Sequence, residues 1–238
     1  MFALISPAKK LDFSQPVRGT TTQPQLLEHT EVLMDRTREL LPKDLIKLMK
    51  ISDALAELNY GRFQSFELPF TDDNAKQAMF AFNGDTYVGF DAKTLDDESL
   101  EFAQGHIGIL SGLYGLLRPR DLMQPYRLEM GTRLDNERGK DLYAFWGSRI
   151  TDTINDALKE HKEPVLINLA SNEYFKSVKN KELDGEVITP VFKELKDGKA
   201  KVIGLMAKRA RGMMARYIVE KRLESPEALK AFTEGGYR

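Results

Sequence analysis

Two short apolar runs, each ended by polar residues, constrain the fold of this chain most strongly. The first, Phe2–Ser6, ends at Pro7, which cannot donate to a strand ladder, and the second, Val165–Ala170, ends at Ser171. Apolar runs this short, bounded by turn residues, are typical of strands buried inside a sheet. If the two strands share a sheet, their carboxyl ends bring the residues that follow them to one edge.

The segments between these runs alternate irregularly between helical and strand patterns. Helical periods are expected over 23–58 with a break at Pro42, and over 94–117, 141–159 and 207–223. Strands are expected over 86–90, 187–195 and 201–206, the last two joined by an Asp197-Gly198 turn. This order predicts an α+β (mixed α/β) fold, a single compact domain over residues 1–238 with a mixed sheet and surrounding helices.

The absence of cysteine excludes several kinds of chemistry. Without a thiol, the chain has no disulfide, no thiolate nucleophile, no thiolate ligand for an iron–sulfur cluster and no thiol peroxidase activity. Its start is apolar only over residues 2–5, too short for a signal peptide, and no apolar run elsewhere approaches the roughly 18 residues of a membrane span. We therefore expect a cytoplasmic protein without a membrane partner.

Neither a bound cofactor nor a transition metal is expected from the motifs. His29, His106 and His161 have no metal-ligand spacing, and the chain contains no Walker A loop, no G-x-G-x-x-G and no G-x-S-x-G elbow. A site built from carboxylates alone stays open at this point.

Basic residues concentrate in the expected C-terminal helix. The whole chain carries 35 Lys and Arg against 36 Asp and Glu, so nucleic-acid binding requires an uneven distribution of charge. At 100° per residue, Lys208 and Arg211 gather on one flank of this helix and Arg209 and Arg216 on the other. Such a helix can lay guanidinium groups along a phosphate backbone, although a solvated basic face is the simpler interpretation.

Residues 109–120 combine apolar stretches with two glycines. An apolar helix, a turn containing Gly112 and Gly115 and a second apolar stretch have the outline of a helix–hairpin–helix, whose exposed backbone N–H groups bind phosphate. A glycine turn between packed helices explains the same residues.

Two further segments place basic residues where ligands bind. Arg118, Arg120 and Arg127 are interleaved with tyrosine and proline over 118–131, which is typical of a pocket, although Asp121 and Glu129 are available to neutralise them. Residues 168–176, with Lys176, follow the second buried strand, and Lys9 and Lys10 follow the first. Polar residues after buried strands are where open α/β folds bind ligands.

The order of several motifs resembles the YaaA peroxide-stress family over essentially the whole chain. The similar segments are Ser6-Pro7-Ala8-Lys9, 110–115, Arg118-Pro119, 121–131, 139–143, 167–171, 173–176 and 207–212. The chain ends at Arg238, where members of that family run further, so a C-terminal edge element is expected to be missing.

The resemblance implies survival under hydrogen peroxide through limiting damage from unincorporated iron. It also implies a DNA-binding fold with a helix–hairpin–helix, here residues 110–117, and a basic cleft. The cleft residues implied are Lys9, Arg118, Arg127, Lys176, Lys208, Arg209 and Arg211.

Three functions follow as hypotheses. The first is a protein without catalytic activity that binds duplex, branched or distorted DNA through phosphate contacts and DNA shape. The second is a DNA-lesion glycosylase or lyase in which Lys9 or Lys176 forms a Schiff base, assisted by Asp12, Asp121 or Glu173 as an acid or a base. The third is iron sequestration by carboxylates.

The residues predicted to bind DNA are Lys9, Lys10, Gly112, Gly115, Arg118, Arg120, Arg127, Lys176, Lys208, Arg209, Arg211 and Arg216.

Overall fold

A five-stranded mixed sheet lies at the centre of the protein, in a computed structural model that describes residues 1–196 and 198–237. The strands are β1 (Phe2–Ile5), β2 (Lys76–Gln77), β3 (Ile107–Ser111), β4 (Gly115–Leu117), β5 (Leu122–Met123), β6 (Val165–Leu169), β7 (Glu186–Ile188), β8 (Glu194–Lys196) and β9 (Lys199–Lys201). The central sheet has the order β4-β3-β1-β6-β7, while β2 pairs with β5 and β8 with β9. Only the β3–β4 pair of the central sheet is antiparallel, which confirms the expected mixed sheet.

The two apolar runs are neighbours in this sheet, which meets the condition for their carboxyl ends to share one edge. β1 pairs in parallel with β6, with Phe2 opposite Leu166 and Ile5 opposite Leu169. Every residue of β1, β3 and β6 is buried. Strands of a parallel sheet that are covered on both faces have continuous apolar sequences, and these three strands follow that rule.

Helices surround the sheet, and none of those in the described residues is long and apolar enough to cross a membrane. They are α1 (Leu27–Arg38), α2 (Pro42–Met49), α3 (Asp53–Ser65), α4 (Ala78–Ala81), α5 (Asp85–Phe90), α6 (Asp97–His106), α7 (Leu142–Trp146), α8 (Arg149–Lys159), α9 (Asn172–Phe175) and α10 (Gly204–Glu220). Pro42 begins α2, as predicted, because its missing N–H costs nothing at the first helical position. Helix α10 packs on α5, α6, β1 and β6.

The helix–hairpin–helix expected at residues 110–117 is not formed, and that prediction was wrong. Helix α6 ends at His106, and β3 and β4 then form a β-hairpin in which Ser111 pairs with Gly115. Both hairpin glycines are buried: a Cβ on Gly112 would lie 2.1 Å from the Leu128 carbonyl oxygen, and Gly115 has φ +70° against Trp146. These glycines serve packing and a turn, so they offer no exposed N–H groups to phosphate. A short apolar run has the same periodicity as a buried strand or a buried helix, which explains the error.

Residues 86–90 were expected to form a strand and instead form most of α5. The cause is a close contact with α10, where a Cβ on Gly89 would lie 2.2 Å from the Arg209 carbonyl oxygen and one on Gly212 would lie 1.8 Å from that of Thr86. Only glycine allows two helix backbones to approach this closely. Tertiary packing has therefore overridden the β propensity of Thr86, Tyr87 and Val88.

Other element boundaries also differ from expectation. The helix expected over 141–159 is broken between α7 and α8 at Gly147, which has φ +54°. The strands expected over 187–195 and 201–206 are shortened, because β7 ends before Pro190 and α10 begins at Gly204. Strands β8 and β9 pair as the expected hairpin, with Gly198 at φ +72°, while Asp197 lies outside the described residues.

The contact between α5 and α10 predicts that Gly212→Ala destabilises the protein. The added methyl group has to displace the Thr86 carbonyl, so we expect the free energy of unfolding to fall by at least about 2 kcal/mol. Urea denaturation followed by circular dichroism measures this change. The control is Gly61→Ala in α3, where nothing lies within 4 Å of the added Cβ and a gain of up to about 1 kcal/mol is expected. Equal effects of the two substitutions would contradict the tight contact.

Candidate functional site

A cavity of about 450 Å³ opens where β1 and β6 end. One wall is the chain that follows β1, residues 6–10, and a second is the chain around Ser171 that follows β6. Residues 83–87 at the start of α5, residues 126–129, and one side of α10 complete the lining. The predicted meeting of the two strand ends therefore forms a concave site, as expected for the carboxyl edge of parallel strands.

Ser6 ties three of these walls together. Its hydroxyl oxygen accepts a hydrogen bond from the Ser171 backbone N–H at 2.8 Å, and its carbonyl oxygen accepts one from the Tyr87 hydroxyl at 3.1 Å. The hydroxyl of Ser171 in turn caps α9 by accepting from the Tyr174 N–H, as its position after β6 predicted. The walls are thus held at fixed separations by hydrogen bonds.

Three buried tyrosines form much of the interior. Tyr87, Tyr126 and Tyr174 are each less than 9% exposed, and the Tyr126 hydroxyl lies 2.6 Å from the Ser111 hydroxyl. Burial raises the pKa of all three phenols. They are therefore neutral at physiological pH and present apolar faces to the cavity.

The Glu129 carboxylate joins two cations at the edge of the cavity. Its Oε1 atom lies 2.7 Å from Lys9 Nζ and 3.3 Å from Arg127 Nη2. Burial alone would raise the pKa of Glu129, but the hydrogen bond from Lys9 and the charge of Arg127 outweigh it, so the pKa lies below its ordinary value. Glu129 is therefore ionised and neutralises part of the positive charge, which is the alternative that the sequence left open for Arg127.

Three other cations of the lining have no ion-pair partner within residues 1–196 and 198–237. They are Lys10, Lys208 and Arg211. Lys208 and Arg211 lie three residues apart in α10, so both project from the same side of the helix. Burial lowers the pKa of the Arg211 guanidinium, and a bound anion would offset this cost of holding a charge there.

Arg118 and Arg120 do not line the cavity, although both were predicted to bind DNA. Arg118 is held by Asp121, whose carboxylate accepts from the Arg118 backbone N–H at 2.7 Å and lies 3.6 Å from its guanidinium. Arg120 donates to the Thr20 hydroxyl at 2.6 Å and to the Glu101 carboxylate. The alternative of internal pairing through Asp121 therefore holds for Arg118.

Lys176, Arg209 and Arg216 also lie outside the cavity lining. The Lys176 ammonium group sits 4.7 Å from the centre of the Tyr143 ring. Arg216 donates to the Asp91 carbonyl oxygen at 2.9 Å, where it secures the end of α5, while Arg209 is exposed. Of the predicted DNA-binding residues, the structure brings together Lys9, Lys10, Arg127, Lys208 and Arg211.

The histidines are placed away from this site. His106 and His161 lie 4.7 Å apart, ring centre to ring centre, beside Met1 at the opposite end of β1, and His29 packs against Trp146. Across the part of the chain that the structure describes, no three His, Asp or Glu side chains form a group that could hold a metal ion.

Sequence reasoning missed several residues that line the cavity, notably Asn83, Asp85 and Tyr87. The expectation of a strand over 86–90 concealed them, because it gave no reason to place the start of α5 beside β1. Tyr126 carried a signal, since it lies in the segment where arginine and tyrosine are interleaved.

The environment of Glu129 predicts a pH-dependent effect of Glu129→Gln. At pH 7 the substitution leaves Arg127 and Lys9 without their shared anion, so we expect the free energy of unfolding to fall by about 1–3 kcal/mol. Because the folded pKa of Glu129 is depressed, the wild-type advantage is present above the ordinary glutamate pKa and disappears as the pH falls through the folded value. Urea denaturation at several pH values measures it, with exposed Glu227→Gln as the control. If the difference in free energy of unfolding between wild type and Glu129→Gln does not change with pH, the pairing of ionised Glu129 with Lys9 and Arg127 is contradicted.

Comparison with known proteins places the chain in a family. It is 60% identical to a UPF0246 protein of Alteromonas mediterranea over 239 aligned residues, covering all of this chain and 92% of that protein. It is 59% identical to a UPF0246 protein of Magnetococcus marinus and 54% identical to one of Polynucleobacter necessarius, covering all of this chain and 93% of each of those proteins. The family model described as peroxide stress protein YaaA matches residues 1–238, so this chain belongs to the YaaA peroxide-stress family.

Proposed function

We propose that this member of the peroxide-stress family is a cytoplasmic DNA-binding protein that holds the phosphate backbone at the basic cavity. The observation that carries the proposal is a set of three cations, Lys10, Lys208 and Arg211, that line one cavity without an ion-pair partner among the described residues, in a chain with a net charge of −1. Such a concentration of positive charge attracts polyanions. The family description indicates a role in peroxide stress, and DNA is a polyanion that such stress damages, so we take DNA as the ligand whose iron and peroxide damage the protein limits.

The geometry supports contacts to phosphate rather than to base sequence. Lys10 comes from a loop after β1, and α10 contributes two cations to the lining, Lys208 and Arg211, fewer than the three or four side chains with which a recognition helix reads base edges. Phosphate contacts fix the position of a protein on DNA without reading its sequence. Binding should therefore depend on salt and on DNA shape, with distorted or branched DNA favoured over a particular sequence.

Substitution of the two α10 cations tests the proposal. We expect Lys208→Ala and Arg211→Ala each to weaken binding to any duplex roughly tenfold, because each removes a charge-assisted hydrogen bond to phosphate. The slope of log K against log salt should become shallower by about 0.9 for each phosphate that is no longer neutralised. Fluorescence anisotropy of labelled duplexes across a salt series measures both quantities.

The matched control for these variants is Lys47→Ala in α2, which removes one exposed charge away from the cavity. It should leave the affinity and the salt slope unchanged. Wild-type affinity in both α10 variants would place the DNA elsewhere on the protein.

A lyase activity is the second candidate function, because one of the two candidate lysines lines the cavity next to a carboxylate. Lys9 lies in the cavity with its Nζ 2.7 Å from Glu129, whereas Lys176 lies outside. In this reaction Glu129 takes a proton from the paired Lys9 ammonium group and passes it to solvent, and the free amine condenses with the C1′ aldehyde of an abasic sugar and releases water. Glu129 then takes the C2′ proton, and the C3′–O bond breaks with departure of the phosphate.

Borohydride, which reduces the imine to a stable amine, distinguishes the lysines. Wild type and Lys176→Ala should give a covalent adduct with abasic DNA, and Lys9→Ala should give none. Absence of an adduct and of strand cleavage in the wild type would leave binding alone as the function.

A further inference from the structure

The cavity has two chemically different parts. Its interior contains Tyr87, Tyr126, Leu128, Leu169 and Tyr174, all less than 9% exposed. Its rim carries the side chains of Lys9, Lys10 and Lys208, which are exposed, and of Arg211, which is half-buried. The lining also contains the carboxylates of Asp85, Glu129 and Glu173, so its five cations leave an excess of two positive charges. A ligand that fills it must be flat or apolar at one end and anionic at the other.

Contact between the protein and a phosphate backbone needs only the charged rim of the cavity and leaves its apolar interior unused. A charged surface is enough to bind DNA through phosphates, and depth adds nothing to that interaction. The volume of about 450 Å³ instead falls within the range of pockets that enclose a small ligand. The cavity is therefore deeper and more aromatic than the proposed function alone explains.

We propose that the cavity receives one unpaired nucleotide of a DNA strand, with the base among the buried tyrosines and its phosphate beside Lys208 and Arg211. This inference rests on the proposed function and names what enters the site. Aromatic side chains stack on any base, and a cationic rim holds the phosphates that flank it.

Asn83 supplies a group suited to the edge of a base. It lines the cavity, and its side-chain amide makes no hydrogen bond within the part of the chain that the structure describes, while its backbone N–H donates to the Lys10 carbonyl oxygen. An amide offers both a donor and an acceptor, which matches the edge of a nucleobase. The residue can therefore bind a ligand without breaking a hydrogen bond to any of the described residues.

A preference for unpaired nucleotides follows from the cost of extrusion. A base inside a duplex must be unpaired and unstacked before it can enter, whereas a bulged nucleotide is already unpaired. We expect wild-type protein to bind a duplex with a single-nucleotide bulge at least about fivefold more tightly than the same duplex without it, as one stacked base provides. Anisotropy competition between the two DNAs measures the ratio.

Filling the cavity tests whether the base enters there. Asn83→Trp places a large side chain in the lining, so the ratio of the affinities for bulged and plain duplex should fall to about one. Val88→Trp is the control, because Val88 is 53% exposed on α5 and does not line the cavity. Ala8→Leu, also in the lining, provides a second and smaller filling if Asn83→Trp fails to fold.

The outcomes separate this inference from the proposed function. Absence of binding to either DNA at low salt would overturn both. Equal affinity of the wild type for bulged and plain duplex, or a bulge preference that survives both filling substitutions, would overturn the nucleotide pocket and leave phosphate binding intact. A free nucleoside monophosphate that binds as tightly as the bulged duplex would overturn the assignment to a DNA strand.

Discussion

Helices α5 and α10 touch backbone to backbone at Gly89 and Gly212, where any larger side chain would overlap a carbonyl oxygen. This contact holds α10 across the start of α5 and against β1 and β6. As a result, Lys208 and Arg211 stand beside the ends of two parallel strands. The cavity exists because a charged helix is held at the carboxyl edge of the sheet, and two glycines set how close it comes.

Electrostatics within the site depend on which cations already have partners. Glu129 pairs with both Lys9 and Arg127 through one oxygen atom and offsets one of their two charges, and other carboxylates of the chain bind Arg118, Arg120 and Arg216. A chain with nearly equal numbers of acidic and basic residues can therefore concentrate positive charge in one place. Local pairing, rather than net charge, decides where an anion binds.

The central strands and the place of the site could be predicted from the sequence, because they depend on local composition. Phe2–Ser6 and Val165–Ala170 are apolar and ended by polar residues, so their burial and the cap at Ser171 followed from short-range rules. Their pairing was a condition of the argument that the structure meets. The strand ends identified Lys9 and Lys10, the segment of interleaved arginine and tyrosine identified Arg127, and the basic C-terminal helix identified Lys208 and Arg211.

The remaining features depend on contacts between distant residues, which no local pattern contains. Residues 107–117 have an apolar sequence that is compatible with a helix or a strand. The close packing of Gly112 against the Leu128 backbone stabilises the β-hairpin. Arg216 contacts residues 90–94 through the fold, and Arg120 contacts Glu101, so neither was recognisable as structural. The Lys176 side chain lies over the Tyr143 ring, and this contact depends on the position of α7.

Photocrosslinking of a bulged duplex identifies the residues that surround the unpaired nucleotide. The unpaired position carries 5-iodouracil, which attaches to nearby aromatic side chains on irradiation, and mass spectrometry of the digested complex locates the adduct. We expect attachment to Tyr87, Tyr126 or Tyr174 in the cavity interior. Attachment to an aromatic residue away from the cavity, such as Phe13 or Tyr60, would contradict it.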